Sequence, residues 1–337
     1  MKYFYTYIIL LVYPFVLQAG DHSRSFLNIG VGARSLAMGG AFSALADDGS
    51  AFYWNPAGAS LLEKPLFSAM YGPQFGGIRN PLGHYHYAGL TLPLRRNAVA
   101  AVNWIRLAVD DIPVYSELQG DSYWDRFHDP SLRPTGVPEG YMQDLEDALF
   151  FTFALNNRLT ADLGWSMHRV RIDFPVGLTM KWFRQRLGEG EASGMGIDFG
   201  VMCRIHMNDF LSDDRFGIFS GSFSVRDIAG SRLSWNTRHE DNIPSRTVWG
   251  LAYTHPVAAL RGECSISWDH ESGGWYEGER FGFEYRGFGT LALRAGVDRG
   301  SFCCGAGLRI WRVTVDYALL THELDNLHRI SCSVHLK

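Results

Sequence analysis

The ten residues from Leu260 to Asp269 read LRGECSISWD, and their side chains alternate between two kinds. The apolar or small set comprises Leu260, Gly262, Cys264, Ile266 and Trp268, and the polar set comprises Arg261, Glu263, Ser265, Ser267 and Asp269. Because successive side chains of a β-strand point to opposite faces, this alternation predicts a strand with one apolar and one charged face. Helical periodicity is nearly absent elsewhere in the chain, which favours an all-β protein.

The same alternation recurs in three later segments, at residues 291–298, 312–319 and 329–336. Segments of about 9 to 11 residues have the length of a tilted transmembrane strand, whereas strands of soluble proteins usually run for about 5 or 6 residues. A soluble antiparallel sheet with one face in water shows the same alternation, so the pattern alone leaves both architectures open. The segment length favours a membrane barrel.

Counting such segments from Leu66 to Leu336 gives about fourteen, an even number that suits a single-chain outer-membrane barrel. We therefore predict an all-β fold, a transmembrane antiparallel β-barrel of about 14 strands over residues 63–337, preceded by a plug segment at residues 20–62. Residues 110–146 hold four prolines. They are predicted to form one long loop on the outer side of the membrane.

The first residues have the layout of a secretory signal peptide. Lys2 is followed by an uncharged, largely apolar run from Tyr3 to Leu17, and small residues surround a cleavage site after Ala19. The run is shorter than the roughly 20 residues that a membrane-spanning helix needs. We therefore predict a signal peptide at residues 1–19 and, with the barrel pattern, a location in the bacterial outer membrane.

Charge and cysteine content exclude several classes of partner and site. The net charge of −4, with no basic stripe, argues against a nucleic-acid partner. The five cysteines (Cys203, Cys264, Cys303, Cys304 and Cys332) form no CxxC pair or zinc-ligand spacing. They are interpreted as small apolar strand residues, and a single periplasmic disulfide stays open.

Metal, cofactor and catalytic sites are not predicted. His84 and His86 share one face of a strand, but two ligands without a third are more often plain surface or lumen histidines. No nucleophile elbow, phosphate loop or HExxH motif occurs in the sequence. A lipid hydrolase at the barrel rim and a soluble β-propeller are the competing classes; the first lacks a recognisable catalytic set and the second lacks a repeat of about 40 residues.

The stretch from Gly32 to Gly58 reads GARSLAMGGAFSALADDGSAFYWNPAG. It strongly resembles the opening of the PorV/PorQ-type family within the FadL-like superfamily of outer-membrane proteins, whose members carry a GARALGMGGAFVAVADDASAAYWNPAG-like motif. Further similarity lies in residues 176–200, 242–253 and 315–331. The motif positions that match in this chain are Gly32, Arg34, Met38, Gly39, Gly40, Asp47, Asp48, Asn55, Pro56 and Gly58.

The resemblance implies that the N-terminal region lies in or against the barrel as a plug, and that the fold is commonly fourteen-stranded. It implies a non-enzymatic protein that acts in type IX-type protein secretion or surface export. The alternative is a FadL-like channel for the uptake of hydrophobic small molecules such as fatty acids. The expected partners are outer-membrane lipid, and either secretion-system proteins or hydrophobic small molecules.

Two sets of charged residues have both a structural and a functional interpretation. Asp47 and Asp48 are expected to accept hydrogen bonds from backbone N–H groups in a turn rather than to form a catalytic pair. The polar faces of the C-terminal strands are expected to form an enclosed ion-pair network, or alternatively to line a conduit whose charges select what passes. The members of this predicted lumen network are Arg261, Glu263, Asp269, Glu284, Arg294, Asp298, Arg309, Arg312, Asp316 and Arg329.

Overall fold

The structure is a computed structural model that describes residues 25–74, 78–95, 97–120, 122–132, 136–162, 169–228, 230–273, 277–322 and 326–337. The predicted signal peptide lies outside these residues. The N-terminal part holds short helical pieces: a 3₁₀ turn at Ser25–Asn28, α1 at Ala33–Ala37, α2 at Ala51–Trp54 and a second 3₁₀ turn at Pro56–Leu61. We call residues 25–62 the inner segment. None of the helices in the described ranges has the length and apolar character needed to cross a membrane.

Sixteen strands follow within the described residues. They are β1 (Leu66–Gln74), β2 (Gly83–Arg95), β3 (Ala98–Val114), β4 (Gly140–Asp162), β5 (Arg169–Leu187), β6 (Gly190–His206), β7 (Ile218–Arg226), β8 (Ser231–Trp235), β9 (Glu240–Ile243), β10 (Arg246–Val257), β11 (Gly262–Ser272), β12 (Gly278–Gly287), β13 (Leu291–Asp298), β14 (Ser301–Ile310), β15 (Val313–Leu320) and β16 (Leu327–His335). Two further helices connect strands, α3 at Tyr123–His128 and α4 at Met207–Leu211.

Fourteen of these strands close into an antiparallel barrel. Neighbours along the chain pair with one another, and β1 pairs with β16, so the first and last strands have no free edge. The remaining two, β8 and β9, form a hairpin outside the closed ring, where β8 pairs with β6. The prediction of a barrel of about fourteen antiparallel strands is confirmed.

Exposure alternates along the barrel strands as the sequence predicts. In β11, Ser265, Ser267 and Asp269 are at most 7% exposed, whereas Ile266 between them is 58% exposed. Buried positions therefore face the inside of the barrel and carry the polar side chains, and the apolar side chains face outward. This is the arrangement of a barrel in lipid and the reverse of a soluble barrel.

The two ends of the barrel are distinguished by their connections. The longest connection, residues 115–139, lies at the end opposite to the start of β1. Long loops of outer-membrane barrels face away from the cell, so we call this the outer end and the other the periplasmic end. Residues 258–261, 288–290 and 311–312 make short turns at the periplasmic end.

The loop predicted over 110–146 is shorter in the structure. β3 continues to Val114 and β4 begins at Gly140, with Pro113 paired to Tyr141. A register shift between Val109 and Ile112 lets the ladder continue through Pro113, which the sequence pattern assigned to the loop. The loop holds α3, whose first turn is capped by Ser122 and Asp125 in a capping box.

β7 and β8 are two parts of one strand interrupted by a bulge. Both pair with β6, with Val225 opposite Phe199 and Arg232 opposite Met195. The backbone between them turns through positive φ at Asp227 and Gly230. The hairpin of β8 and β9 therefore extends the wall beyond the ring at the outer end.

All five cysteines are free thiols, and among the described residues no group of three or more His, Cys, Asp or Glu side chains is placed to hold a metal ion. The rings of His84 and His86 lie 6.3 Å apart beside Tyr71, on the outward face of β1 and β2. Both are partly exposed strand histidines.

Candidate functional site

The inner segment spans the lumen from one side of the barrel to the other. α1 packs against β13 to β16, and the 3₁₀ turn at Pro56–Leu61 packs against β4 to β6, on the opposite side of the ring. Nearly all of its described side chains are buried. The residues that seat this segment, and the cavity next to it, form the candidate functional site.

Arg34 of α1 is the centre of a buried ion-pair cluster. Its Nε and Nη2 atoms each donate to a carboxylate oxygen of Glu284 at 2.8 Å, in a bidentate pair, and its Nη1 lies 2.5 Å from Asp47. Glu284 is fully buried and also accepts from Arg294, which in turn binds Asp316 at 2.7 Å. Such pairs are favourable inside a protein only when every charge has its partner, so the cluster fixes where α1 sits.

The ion-pair cluster keeps Arg34 and Asp47 of the inner segment ionised. Burial lowers the pKa of Arg34, but the charges of Asp47 and Glu284 outweigh it and hold the pKa well above its ordinary value. Burial likewise raises the pKa of Asp47, yet the charge of Arg34 outweighs this effect and the net pKa is lowered. Both groups are therefore charged at neutral pH.

Asp48 and Asp269 bind backbone groups of the inner segment. Asp48 accepts from the backbone N–H and the hydroxyl of Ser50, at 2.8 and 2.6 Å, as expected for a turn. Asp269, on β11 and 1% exposed, accepts from the N–H groups of Phe42 and Ser43 at 3.0 and 2.8 Å. It also accepts from the Ser43 hydroxyl at 2.8 Å. One wall carboxylate thus satisfies a tight turn of the segment.

Glycines allow the segment to touch the wall backbone. A Cβ on Gly39 would lie 2.7 Å from the backbone of Val297, and one on Gly296 would lie 2.2 Å from the carbonyl carbon of Met38. Gly39 and Gly40 also have positive φ, of 65° and 73°. These close approaches explain the small residues of the motif on physical grounds.

Asn55 and Pro56 hold the opposite side of the segment. The Asn55 side chain donates to the carbonyls of Ser43 and Val201, and its oxygen accepts from the Ala57 N–H at 3.1 Å. Pro56 follows at the first position of the 3₁₀ turn, where a missing N–H costs nothing. The motif begins and ends with a glycine. A Cβ on Gly58 would lie 1.7 Å from the Ala46 carbonyl oxygen, and Gly32 has a φ of 90° just before α1.

The inner surface of β2 to β6 holds a cluster of apolar and aromatic side chains, here called the apolar wall, between buried polar residues such as Asn103, Glu146 and Lys181. The inner surface of β11 to β16 is mainly charged. Phe52 of α2 stacks on Tyr87 with ring centroids 5.5 Å apart and meets the edge of Phe150 at 4.9 Å. Towards the outer end, this wall continues with inward-facing apolar and aromatic side chains that are at most 4% exposed: Tyr85, Ile105, Leu107 and Phe183. The segment is therefore held by ion pairs on one side and by apolar contacts on the other.

A cavity of about 510 Å³ lies between the inner segment and the periplasmic end of the barrel. Arg34, Asp47 and Asp48 of the inner segment line the side towards the outer end, and the periplasmic ends of several strands line the walls. Polar members of that wall are Arg261, Glu263, Arg286, Arg309 and Asp316, and apolar members include Leu62, Leu66 and Leu291. The cavity has the volume of a small-molecule site.

The predicted lumen residues occupy several places. Glu263 pairs with Arg286 at 2.8 Å near the periplasmic end, and Asp298 pairs with Arg280 at 3.0 Å towards the outer end. Arg329 donates to the side chain of Gln74 and to the backbone carbonyls of Pro73 and His328. The other three lie near the periplasmic rim: Arg261 and Arg309 are exposed at the cavity, and Arg312 lies over the ring of Trp311.

Two buried charged groups escaped the sequence reasoning. Lys181 binds Asp198 and Asp227 at 2.9 Å each, beside the bulge between β7 and β8. A second group gathers around Glu271 and consists of Arg226, Arg246 and Arg280. The alternation of side chains along a strand could have revealed the second group. Glu271 shares a strand face with Asp269, and Arg280 shares one with Glu284, and both Asp269 and Glu284 were predicted to face the lumen.

The closed ring of fourteen antiparallel strands, with apolar side chains outside and charged ones enclosed, defines a transmembrane β-barrel of the bacterial outer membrane. No protein-family model matches the chain, and no curated protein matches its sequence. Similar solved structures include the toluene transporter TodX of P. putida, at 11% identity over 91% of this chain and 99% of that chain, with a TM-score of 0.49.

A FadL homologue from Pseudomonas aeruginosa matches at 11% identity over 89% of this chain and 96% of that chain, with a TM-score of 0.43. The KdgM porin matches at 5% identity over 81% of this chain and 99% of that chain, with a TM-score of 0.34. At these identities the likeness is one of fold. The narrower PorV/PorQ-type resemblance stays a prediction.

Proposed function

We propose that the protein is a non-enzymatic channel that carries hydrophobic small molecules across the outer membrane, with the inner segment as its plug. The observation that carries this proposal is the apolar wall, the cluster of inward-facing apolar and aromatic side chains within β2 to β6. Tyr85, Ile105, Leu107, Phe150 and Phe183 all face inward there and are at most 4% exposed. The lumen of a water-filled porin is polar, so this wall suits an apolar solute better than an ion or a sugar.

The two sides of the lumen suggest how the plug moves. On the β11 to β16 side, Glu284 and Asp269 bind the segment by charged hydrogen bonds that are costly to break. On the β2 to β6 side, Phe52 makes ring contacts with Tyr87 and Phe150, which an apolar solute can replace in kind. The path for a hydrophobic molecule therefore runs between Phe52 and the apolar wall, towards the 510 Å³ cavity.

A role in protein export is the second candidate, and the stretch from Gly32 to Gly58 favours it through its resemblance to PorV/PorQ-type proteins. In that case the barrel serves as a partner for secretion-system proteins, and the segment has no cargo to admit. The two functions predict different phenotypes.

Deletion of the gene separates them. We expect loss of uptake of a labelled fatty acid or labelled toluene, with unchanged uptake of a hydrophilic sugar and unchanged surface proteins. Complementation with Ile105→Asn, which places a polar group on the apolar wall, is expected to restore the barrel but not full uptake; Ile105→Val is the matched control. Loss of surface-attached proteins with normal hydrophobic uptake would instead support export and refute the channel.

A further inference from the structure

Three buried arginines surround a small cavity on the outer side of the inner segment. Arg226 of β7, Arg246 of β10 and Arg280 of β12 are each 5–6% exposed. They line a cavity of about 30 Å³ together with Tyr53 and Trp54 of α2. The cavity lies apart from the larger one at the periplasmic end and shares none of its lining residues.

The nearby carboxylates pair with Arg246 and Arg280 and leave Arg226 without a direct ion pair. Glu271 is fully buried and pairs with Arg246 at 3.0 Å and with Arg280. Asp298 pairs with Arg280 at 3.0 Å but is shared with Arg299 at 2.8 Å. No carboxylate of the described residues forms an ion pair with Arg226. The guanidinium of Arg226 is therefore buried without a carboxylate in direct contact.

Arg226 meets aromatic faces instead of a carboxylate. Its guanidinium carbon lies 4.8 Å from the ring centroid of Tyr53 and 5.6 Å from that of Trp54. The face of the guanidinium is thus covered, while the N–H groups at its edge remain available. Cation–π contacts offset only part of the cost of burying a charge.

The edge N–H groups are the decisive observation. Nε and Nη2 of Arg226, Nε of Arg246 and Nη1 of Arg280 are buried without a hydrogen-bond acceptor in the described structure. Buried donors without acceptors are rare in proteins, and buried unpaired cations are rarer still. We propose that this cavity binds one small monovalent anion, of the size of chloride, coordinated by the edge N–H groups of Arg226 and its two neighbours.

The dimensions suit this class of ligand. A cavity of about 30 Å³ has room for a halide ion or for one or two waters. Water satisfies the donors, whereas a monovalent anion satisfies them and also places a negative charge in contact with Arg226. The ion ties α2 to β7, β10 and β12, and this role does not depend on what the channel carries.

Unfolding of the purified protein tests the site. Sodium chloride replaces sodium gluconate at constant ionic strength, since gluconate is too large for the cavity. We expect the unfolding midpoint of the wild type to rise saturably with chloride, and that of Arg226→Gln to stay constant. Arg215→Gln, at an exposed arginine of the turn before β7, is the matched control and keeps the wild-type response. A wild type without chloride response, or an equal response in Arg226→Gln, overturns the proposal.

Diffraction gives a second test that needs no variant. Crystals of the wild type grown in bromide are expected to show an anomalous peak within hydrogen-bond distance of the Arg226 Nε and Nη2 atoms. Density without anomalous signal at that position identifies water and refutes the anion site. Bromide found only at surface positions also refutes the anion site.

Discussion

Replacing Arg34 with glutamine removes the charge that three carboxylates share: Asp47, Asp48 and Glu284. Glu284 keeps Arg294 as a partner, but Asp47 loses its closest cation, and the bidentate pair at 2.8 Å is gone. Breaking a buried pair by removing one partner costs about 3–5 kcal/mol, and we expect about 3 kcal/mol here because Arg294 remains. Urea unfolding of the purified barrel measures the change.

The double variant Arg34→Gln/Asp47→Asn is expected to recover part of this loss, since the carboxylate that loses its closest cation is then neutral as well. Arg215→Gln serves as the exposed control and should leave the unfolding midpoint unchanged. A midpoint in Arg34→Gln equal to that of the wild type means that the cluster does not anchor α1.

The pair of Arg34 and Asp47 makes the packing of the inner segment against the barrel depend on pH, and the sign of this dependence can be derived. Arg34 lowers the pKa of Asp47 below its ordinary value of 3.8. A carboxyl with a lowered pKa stabilises the folded state fully above its ordinary pKa and loses that contribution as the pH falls through the lowered value. Limited proteolysis of the segment should therefore be constant down to about pH 4 and increase below it. In Asp47→Asn the increase attributable to this group should vanish; an unchanged profile rules it out.

At the scale of elements, the proposed plug is tested by locking it. The hydroxyl oxygens of Ser43 in the segment and Ser222 on β7 lie 2.8 Å apart. Cysteines at both positions bring the sulfurs close enough for a disulfide with little backbone change. In Ser43→Cys/Ser222→Cys, with the five native cysteines replaced by serine, we expect uptake of hydrophobic solute to stop under oxidation and to return on reduction. Each single cysteine variant is the control.

The result of this experiment depends on complete cross-linking, which mass spectrometry of the peptides verifies. If the fully cross-linked protein transports at the rate of the reduced one, the segment does not gate the channel through movement away from β7. Movement confined to the Phe52 side is then the remaining route, and a second lock on that side decides it.

The elements also show which parts of the fold follow from sequence. The alternation in residues 260–269 gives the inward side of β11 directly, because a strand has only two faces. The partners of Asp269 and Glu284 do not follow, because they depend on register and on the path of the inner segment. Glu284 lies opposite Arg294 in the ladder, and a slip of one residue separates them. The motif from Gly32 to Gly58 predicted a packed segment, but only the structure places Arg34 on Glu284.

At the scale of the whole molecule, the bulge between β7 and β8 was beyond the reach of pattern reasoning. Asp227 adopts a positive φ of 54°, which is rare for a residue other than glycine. Its side chain is held by Lys181 and Ser231, so tertiary contacts rather than local preference set this backbone. The hairpin of β8 and β9 exists because the chain leaves the ring there and returns at β10.

The orientation of the barrel in lipid is tested by one outward residue. Phe151 lies in the middle of β4, is 53% exposed and points away from the lumen. An arginine on the lipid face near the bilayer midplane costs about 2–4 kcal/mol, and the cost falls to about 0–1 near the interface. Phe151→Arg is therefore expected to reduce the folded fraction in bilayers, measured by heat-dependent gel mobility. Tyr141→Arg, near the outer end of the same strand and 67% exposed, should have a small effect. Equal folding of the two variants would show that the apolar outer surface does not face lipid, and the membrane assignment fails with it.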